Sequence, residues 1–413
     1  MTATHLVGGI SSAGRALPGR AFHVARAAGP YLWDDDGRRY VDTALGFGGT
    51  VLGHAHPAVT AACERALRDG PLPAFAHRAE EAAAAALAAR CGPLARVAFT
   101  NSGSEAVHLA CRVARAVTGR SRVAKMAAGY DGWYDEQALG NAGAAEARPF
   151  GDARPDNGRM VLLRHNDEAD TEALFAENPD VAAVIVEPVL ANAGCLPARP
   201  GYLEHLQATA RRHGALLIAD EVLMGFRLGP GLASQSFGLD PDLATVGKAI
   251  GSGIAVAALL GRPDLMAALE DGRAARAGTY SGNPLACAAV LATLAELDIQ
   301  DYPALLAAGD ALRRRMAADF AAAGFPASTS GFGSVFTLWR SAVAPADYAA
   351  AQGVADAAFT LRLHADMRER GVLLMPFPFG RLYLSFAHGE ADLATLGEAF
   401  AAAAHAMAGS AGA

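Results

Sequence analysis

Short, almost wholly apolar runs alternate with alanine-rich helical patterns through the middle of the chain. The runs are RVAFT at 96–100, RVAKM at 122–126, VAAVIVEP at 181–188, ALLIADEV at 215–222 and LATVG at 243–247. They are too apolar for half-exposed strands, so each is interpreted as a strand that is buried on both faces. Buried strands that alternate with helices predict an α/β fold, in which a mostly parallel central sheet is flanked by helices.

The two ends of the chain show different patterns. An Asp-Gly pair lies between two short apolar and aromatic runs in PYLWDDDGRRYVD at 30–42, which predicts a β-hairpin. After residue 290, long helical patterns are followed by the alternating runs GFGSVFTLW and GRLYLSFAH, which suit strands with one covered face. We therefore predict a large domain at 60–290 and a smaller α+β domain at 291–413, to which the N-terminal segment at 1–59 also contributes.

Composition and charge exclude several classes of protein. The chain has 413 residues, of which 52% are hydrophobic and 19% charged, as expected of a well-packed globular protein. A net charge of −7 without a basic cluster argues against nucleic acid as a partner. No signal-peptide pattern and no apolar run of about 18 residues is present, which predicts a cytoplasmic protein without a membrane partner. Five scattered cysteines without a C-x-x-C pair are expected to be reduced thiols.

Residues that follow the predicted strands carry the candidate chemistry, because ligands of an open parallel sheet bind at the carboxyl ends of its strands. The sequence NSGSEAVHLACRVARAVTGR follows the first of these strands, and its polar stripe predicts that a helix begins near Ser104 or Glu105. Ser102, Gly103 and Ser104 then form a loop whose N–H groups and hydroxyls suit a phosphate at the positive end of the helix dipole. An ordinary capping loop is the alternative.

Aromatic and acidic residues follow the next strands. Tyr130, in GYDGWYD, is placed to stack on a flat ring, although packing against the core is the commoner role of such a residue. Glu187, Asp220 and Glu221 come directly after buried aliphatic runs, where an acid is costly unless it has a partner. Asp220 suits pairing with a protonated ring nitrogen. A salt bridge or a helix cap is the alternative for Glu187 and Glu221.

Lys248 follows the strand LATV and precedes a glycine-rich stretch. Most lysines are solvated surface charges, so this position alone proves nothing. Together, a phosphate cradle, a stacking residue, a buried carboxylate and a lysine at successive strand ends match what pyridoxal 5'-phosphate (PLP) requires. Burial would lower the pKa of the Lys248 amine and keep it nucleophilic.

The chain also resembles a known family over nearly its whole length. The segments that carry the resemblance are YLWDDDGRRYVD, LGHAHPAV, NSGSEA, GYDGWYD, DEVLMGFR, PDLATVGKAIGSGIAVAALLG, GTYSGNPLACAA and SFAH. They are similar to those of the class III aminotransferases of PLP fold type I, within the branch that resembles glutamate-1-semialdehyde 2,1-aminomutase.

The resemblance implies a role for each residue around the cofactor ring. Lys248 would form the imine with PLP and move the proton during amino transfer. Asp220 would hold the proton of the ring nitrogen, while Tyr130 and Val222 would cover the two faces of the ring. Glu187 would lie near the phenolic oxygen of the cofactor or near the stacking aromatic.

The resemblance also implies phosphate and subunit contacts. Ser102, Gly103 and Ser104 would hold the phosphate, and Thr279 would reach a phosphate across a subunit interface. A homodimer with a shared active site would then be the smallest active unit. Two histidines, His54 and His56, lie in a stretch that the resemblance makes a structural turn, and we predict no metal.

Two arginines are candidates for binding the substrate. Arg15 lies where aminomutase-like enzymes bind the substrate carboxylate, and Arg381 resembles the C-terminal arginine that holds an α-carboxylate in many class III transaminases. Guanidinium groups recognise carboxylates through a bidentate fork. A surface ion pair is the alternative for each.

The chain departs from the aminomutase pattern in ways that concern the reaction more than the cofactor. Asp131 replaces the histidine that usually follows the stacking tyrosine, and GSGIAVAALLG, compared with a gating loop, lacks the usual glycine and proline content. We therefore predict an aminotransferase that moves an amino group between an amino acid and a keto acid or aldehyde, by a ping-pong cycle through pyridoxamine phosphate. A PLP-dependent isomerase, either an aminomutase or an amino acid epimerase, is the alternative. A non-catalytic relative is disfavoured because Lys248 and Asp220 are both retained.

Overall fold

A seven-stranded sheet forms the centre of the molecule in the computed structural model, which describes residues 5–15, 22–151 and 153–409. From one edge to the other its strands are β4 (Arg96–Thr100), β12 (Ala257–Gly261), β11 (Leu243–Val246), β10 (Leu216–Glu221), β7 (Val181–Val186), β5 (Arg122–Met126) and β6 (Met160–Leu163). All are parallel except β12, which pairs antiparallel with both β11 and β4. The predicted mostly parallel sheet is confirmed.

Strand β12 corrects one sequence-based interpretation. The stretch GSGIAVAALLG at 251–261 was compared with a gating loop, yet its second half is an internal strand, the second from one edge of the sheet. Residues 257–261 are alanine, leucine and glycine, and none of them is β-branched. The composition of this run therefore does not predict a strand. Only residues 251–256 remain outside the strand, and they lie at the edge where β11 ends.

Helices cover both faces of this sheet. The helices of the described residues are α1 (Leu45–Gly48), α2 (Pro57–Asp69), α3 (Arg78–Ala88), α4 (Gly103–Thr118), α5 (Glu168–Glu177), α6 (Tyr202–Arg212), α7 (Ala233–Ser236), α8 (Pro263–Met266), α9 (Pro284–Leu297), α10 (Tyr302–Ala322), α11 (Tyr348–Val354), α12 (Ala357–Glu369) and α13 (Glu390–Gly409). Of these, α10, α12 and α13 pack with one another and with strands of the C-terminal part of the chain. No helix of the described residues is both long enough and apolar enough to span a bilayer.

The sheet is apolar on both faces because successive side chains of a strand point in opposite directions. Leu260 packs in the cluster that includes residues of α2, α3 and α9, whereas its neighbour Leu259 packs with residues of α4 on the other face. Both leucines are fully buried. Burial of one such side chain stabilises the fold by about 1.5–3 kcal/mol, which explains why these strands read as continuous apolar runs.

The N-terminal hairpin is confirmed, and it joins the C-terminal part of the chain. Strands β1 (Val24–Ala28), β2 (Tyr31–Asp34) and β3 (Arg39–Asp42) form an antiparallel meander, and β15 (Val372–Leu373) pairs parallel with β3. Three further strands form a separate antiparallel sheet, namely β13 (Ser328–Phe332), β14 (Val335–Trp339) and β16 (Leu382–Tyr383). A short ribbon pairs β8 (Val189–Leu190) with β9 (Leu196–Pro197). The domain limits at 59/60 and 290/291 stay predictions, and the second falls within α9.

A close approach between α10 and the β13–β14 turn yields a stability prediction. A Cβ atom added at Gly309 would press on the backbone of Gly333, whereas one added at Gly353, in α11, would meet no atom within 4 Å. We expect Gly309→Ala to lower the free energy of unfolding by about 1–3 kcal/mol, as overpacking does. Gly353→Ala is the matched control and should be neutral or slightly stabilising, because alanine favours a helix. Thermal denaturation of both variants measures the difference, and equal midpoints would contradict the contact.

Candidate active site

A cavity of about 340 Å³ opens at the carboxyl edge of the central sheet. Its walls come from the residues that follow β4, β5, β10 and β11, and from the segment that leads into β12. Because β12 is antiparallel, its beginning lies at the same edge as the ends of the parallel strands. The predicted residues that line the cavity are Ser102, Gly103, Ser104, Tyr130, Asp220, Val222 and Lys248.

Lys248 occupies the floor of this cavity with an unusual backbone conformation. Its φ is +43°, in the left-handed region, and it opens a 3₁₀ turn over Lys248–Gly251. A non-glycine residue held there costs about 1–3 kcal/mol, and such strain is typical of functional sites. Burial lowers the pKa of the Lys248 amine to about 8, and the nearby Asp220 opposes this shift to the extent that it ionises. A larger fraction of this amine is therefore neutral near pH 7 than in an ordinary lysine.

Asp220 is the penultimate residue of β10, and its buried side chain lines the cavity. Its Oδ1 accepts hydrogen bonds from the Val222 N–H at 2.9 Å and from the Thr245 hydroxyl at 3.0 Å. Burial raises the pKa of Asp220 well above its usual range, and the nearby carboxylates of Asp131 and Glu187 raise it further. A buried carboxyl group of this kind suits a cationic partner that enters the cavity.

Helix α4 begins at Gly103, one residue before the predicted start. Ser102 is its N-cap, and Glu105 completes a capping box by accepting hydrogen bonds from the N–H groups of Asn101 and Ser102. The capping alternative is therefore correct, but it leaves the next N–H groups, at the positive end of the dipole, facing the cavity. A Cβ atom at Gly103 would lie 2.7 Å from Val222 Cγ1, so only glycine fits there.

The acidic residues after β7 and β10 hold the loops of the site. Glu187 is buried and accepts hydrogen bonds from the N–H groups of Tyr130 at 3.0 Å and Ala191 at 3.3 Å. Burial, followed by the effect of Asp131, raises the pKa of Glu187 to about 7. Glu221 caps α7 by accepting hydrogen bonds from Ala233 and Ser234, which is the structural alternative considered for it.

Arg381 is buried beside Tyr383 rather than exposed in a surface ion pair. Its Nε donates to the Tyr383 hydroxyl at 2.8 Å, and no carboxylate within the described ranges pairs with it. Arg227, on the other side of Tyr383, was not identified from the sequence as a site residue. It is fully buried, stacks 4.9 Å from the tyrosine ring, and its Nε and Nη1 lack partners among the described residues. Two buried guanidinium groups thus lie close to the amine of Lys248, whose pKa both lower.

Two predicted residues lie apart from this cavity in the single chain. Arg15 ends a 3₁₀ turn and is exposed, and Thr279 is exposed in the segment between α8 and α9. Neither of them lines the cavity. The structure of one chain therefore leaves their predicted roles untested.

Lys125 and Asp131 are further site residues that the sequence reasoning missed or left unexplained. Asp131 lines the cavity and is buried, and the Lys125 ammonium lies behind it at 3.3 Å. The chain contains only two lysines among its 35 basic Lys and Arg residues, and both are at this site. That scarcity was a signal in the sequence that could have identified Lys125.

Several further features lie outside this cavity. Residues 147–150 line a separate cavity of about 590 Å³ beside Arg164, His165 and Tyr202. His54 hydrogen-bonds to the buried Asp42 carboxylate at 2.7 Å. All five cysteines are free and buried. The described residues contain no group of three or more His, Cys, Asp and Glu side chains arranged to hold a metal ion.

Comparison with known proteins decides the family. The family model described as aminotransferase class-III matches residues 15–323. The chain belongs to this family. This class III aminotransferase is 40% identical to a glutamate-1-semialdehyde 2,1-aminomutase of Nitratidesulfovibrio vulgaris (strain DSM 19637 / Miyazaki F), over 94% of the chain and 93% of the relative.

Solved structures agree with this assignment. An omega-transaminase from Sphaerobacter thermophilus matches with a TM-score of 0.89 and 31% identity, covering 97% of this chain and 94% of that one. A glutamate-1-semialdehyde aminomutase variant from Pseudomonas aeruginosa PAO1, in complex with PMP, matches with a TM-score of 0.82 and 29% identity, covering 92% and 87%. The predicted fold type I and the PLP cofactor are confirmed. The buried Asp220 carboxyl and the cavity-facing Lys248 amine fit that cofactor's ring nitrogen and aldehyde chemically.

The lowered pKa of Lys248 can be measured directly, because a class III aminotransferase with only two lysines gives a simple spectrum. In cofactor-free protein labelled with ε-¹³C-lysine, we expect one of two signals to titrate near pH 8, since burial disfavours the ammonium form. Above that pH the amine is neutral and nucleophilic. The Lys248→Ala variant assigns the signal by its loss, and a titration near the model-peptide value of about 10.4 would contradict the burial argument.

Proposed function

We propose that this enzyme transfers an amino group between an amino acid donor and a keto acid or aldehyde acceptor. The observation that carries the proposal is the lysine amine with a pKa lowered to about 8, which shares one cavity with the buried carboxyl of Asp220. A neutral amine in such a site can attack a carbonyl carbon and later accept and return a proton.

Four residues of the chain act around the ring in this proposal. PLP, when bound, supplies an electron sink that stabilises negative charge at the substrate carbon. Asp220 holds a proton at the ring nitrogen, and Val222 and Tyr130 confine the ring from its two faces. Lys248 forms the covalent link and moves the proton. Glu187 keeps the Tyr130 loop in place through the hydrogen bond at 3.0 Å.

The phosphate would be held at the start of α4, and the contact would be completed by a second copy of the chain. Ser102, Gly103 and Ser104 present the helix N-terminus, and Thr279 would come from the partner subunit. Exposed aromatic side chains support a homodimer, because a covered face explains them better than solvent does. They are Phe75, Trp133 and Tyr280, which are 87%, 68% and 61% exposed.

The substrate carboxylate would be bound by Arg381, with Arg15 as a second anchor. Arg381 supports this role because its buried guanidinium lacks a carboxylate partner within the described part of the chain, and because it acts electrostatically on Lys248. A bidentate pair with a carboxylate would compensate the cost of burying that charge. Donor and acceptor then use the same anchor in turn.

The aminomutase alternative rests on a specific observation, the 40% identity to a glutamate-1-semialdehyde aminomutase over 94% of the chain. The higher TM-score to the omega-transaminase, 0.89 against 0.82, supports transfer between two molecules. Both reactions use the same cofactor and the same lysine. They differ in whether the nitrogen leaves with a second molecule.

A donor screen distinguishes the two reactions. Purified enzyme loaded with PLP is mixed with single amino acids or amines, and the loss of visible absorbance is followed together with the release of a keto product. Transfer predicts a stoichiometric keto product from a donor alone and turnover when an acceptor is added. Lys248→Ala, the control, should reduce turnover by about 10²–10⁴-fold, as loss of a proton-transfer group does. Isomerisation of one substrate without any donor half-reaction would reject the transferase proposal.

Removal of the proposed carboxylate anchor should change binding more than chemistry. We expect Arg381→Gln to raise the KM for carboxylate-bearing donors by about 10- to 150-fold, since hydrogen bonds to charged groups contribute about 1.5–3 kcal/mol. Amine donors without a carboxylate should be affected little.

The matched control is Arg340→Gln, which removes an exposed guanidinium paired with Asp356 at 2.8 Å. That variant should retain the KM of the parent enzyme. Equal effects of Arg381→Gln on donors with and without a carboxylate would show that Arg381 does not recognise the substrate.

A further inference from the structure

Lysine is scarce in this protein, and both copies are in the same buried region. Lys248 faces the cavity, whereas Lys125 lies on β5 with no exposed surface. An arginine side chain would need more space and acceptors for five N–H donors. A lysine ammonium group is compact and needs acceptors for only three. The use of lysine at position 125 therefore indicates a confined site that requires a point charge.

The Lys125 ammonium is held mainly by neutral oxygen atoms. It donates to the Gln137 carbonyl and to Asn141 Oδ1, both at 2.8 Å, and to the Gly129 carbonyl at 3.3 Å. Lys125 also forms an ion pair with Asp131, whose Oδ2 lies 3.3 Å from the Lys125 Nζ. Burial raises the pKa of Asp131, and the adjacent Lys125 ammonium opposes that rise, so Lys125 favours the ionised form of Asp131.

Asp131 connects this cation to the cavity. Asp131 and Asp220 line the same cavity of about 340 Å³, and both carboxyl groups are buried. Two buried carboxyl groups in one small cavity do not both ionise readily, so the site favours a state with one proton on the pair. The Lys125 ammonium lies 3.3 Å from Asp131, whereas burial and the charges of Asp131 and Glu187 raise the pKa of Asp220, so the proton is favoured on Asp220.

We propose that Lys125 and Asp131 are positioning residues that set the protonation of Asp220. Lys125 keeps Asp131 ionised, and the Asp131 carboxylate raises the proton affinity of Asp220 and of any ring nitrogen placed against it. The cofactor-free site then stores one proton on Asp220, which moves to the ring nitrogen when the ring binds and leaves Asp220 as the carboxylate. This step moves one proton from Asp220 to the ring nitrogen and needs no other reactant. This extension to the ring rests on the placement of Asp220 proposed above.

A structural role for Lys125 is the competing explanation, since its hydrogen bonds also hold the loop at 129–141. The test therefore uses Asp131→Asn, which keeps the size of the side chain and the loop contacts of Lys125 but removes the charge. Lys125→Met removes the cation, and Asp131 should then take up a proton. Asp135→Asn, an exposed change in the same loop, is the matched control.

The first measurement uses cofactor-free protein and the Lys248 signal of ε-¹³C-lysine. The charged groups that act on Lys248 are Asp220, Glu187, Arg381 and Arg227. Without the Asp131 charge, Asp220 ionises at lower pH and stabilises the Lys248 ammonium. We expect the Lys248 titration to move upward by about one pH unit in Asp131→Asn, and in the same direction in Lys125→Met. The Asp135→Asn variant should not change it.

An unchanged Lys248 titration in folded Asp131→Asn would overturn the proposal. This variant decides the question even if Lys125→Met does not fold. A lower thermal midpoint without any shift in the titration would establish the purely structural role.

The second measurement uses enzyme loaded with ring-¹⁵N-labelled PLP. We expect the ring nitrogen to lose its proton at lower pH in Asp131→Asn than in the parent enzyme, again by about one pH unit. If only the Lys248 titration moves, the coupling of Asp131 to Asp220 is upheld and the placement of the ring against Asp220 is rejected. The two measurements thus distinguish a failure of the coupling between Asp131 and Asp220 from a failure of the proposed placement of the ring.

Discussion

The low dielectric at the carboxyl edge of the central sheet governs the chemistry of this protein. Buried strands deliver an amine and three carboxyl groups to one small region, where each charge is costly unless another compensates it. The same burial that lowers the pKa of Lys248 to about 8 raises the pKa of Glu187 to about 7. The pKa values of the Glu187 carboxyl and the Lys248 amine are therefore similar. Similar pKa values allow protons to move between groups near neutral pH.

Residues adjacent to strand ends could be predicted from the sequence because their positions are fixed locally. A parallel strand places the residue after it at the ligand edge, whatever the rest of the fold does. By this rule Ser102, Tyr130, Asp220 and Lys248 were predicted to lie at one edge of the sheet, and they line one cavity. The family match agrees with the cofactor that these residues suggested. The same local logic gave the hairpin at 30–42, since an Asp-Gly turn needs only its own neighbours.

Tertiary contacts account for what the sequence did not reveal. Arg227 is a loop residue in the chain, and only packing places it against Tyr383 from the C-terminal segment. Strand β12 was missed because its partners lie on both sides, and they supply the hydrogen bonds that its weak β propensity does not predict. Arg15 and Thr279 are exposed and do not line this cavity, because both lie in connecting segments that no strand of the central sheet positions.

The reversed direction of β12 has a consequence for how substrate range can diversify. Because the strand runs against its neighbours, the peptide between β11 and β12 leaves and re-enters the sheet on the ligand side, and residues 253–256 form a wall of the cavity. Insertions or deletions near residues 253–255, beyond Lys248 and the buried Ile250, would reshape the entrance while the apolar interior stays intact. The architecture thus separates the part of the molecule that must remain constant for folding from a rim that is free to vary with the molecule being bound.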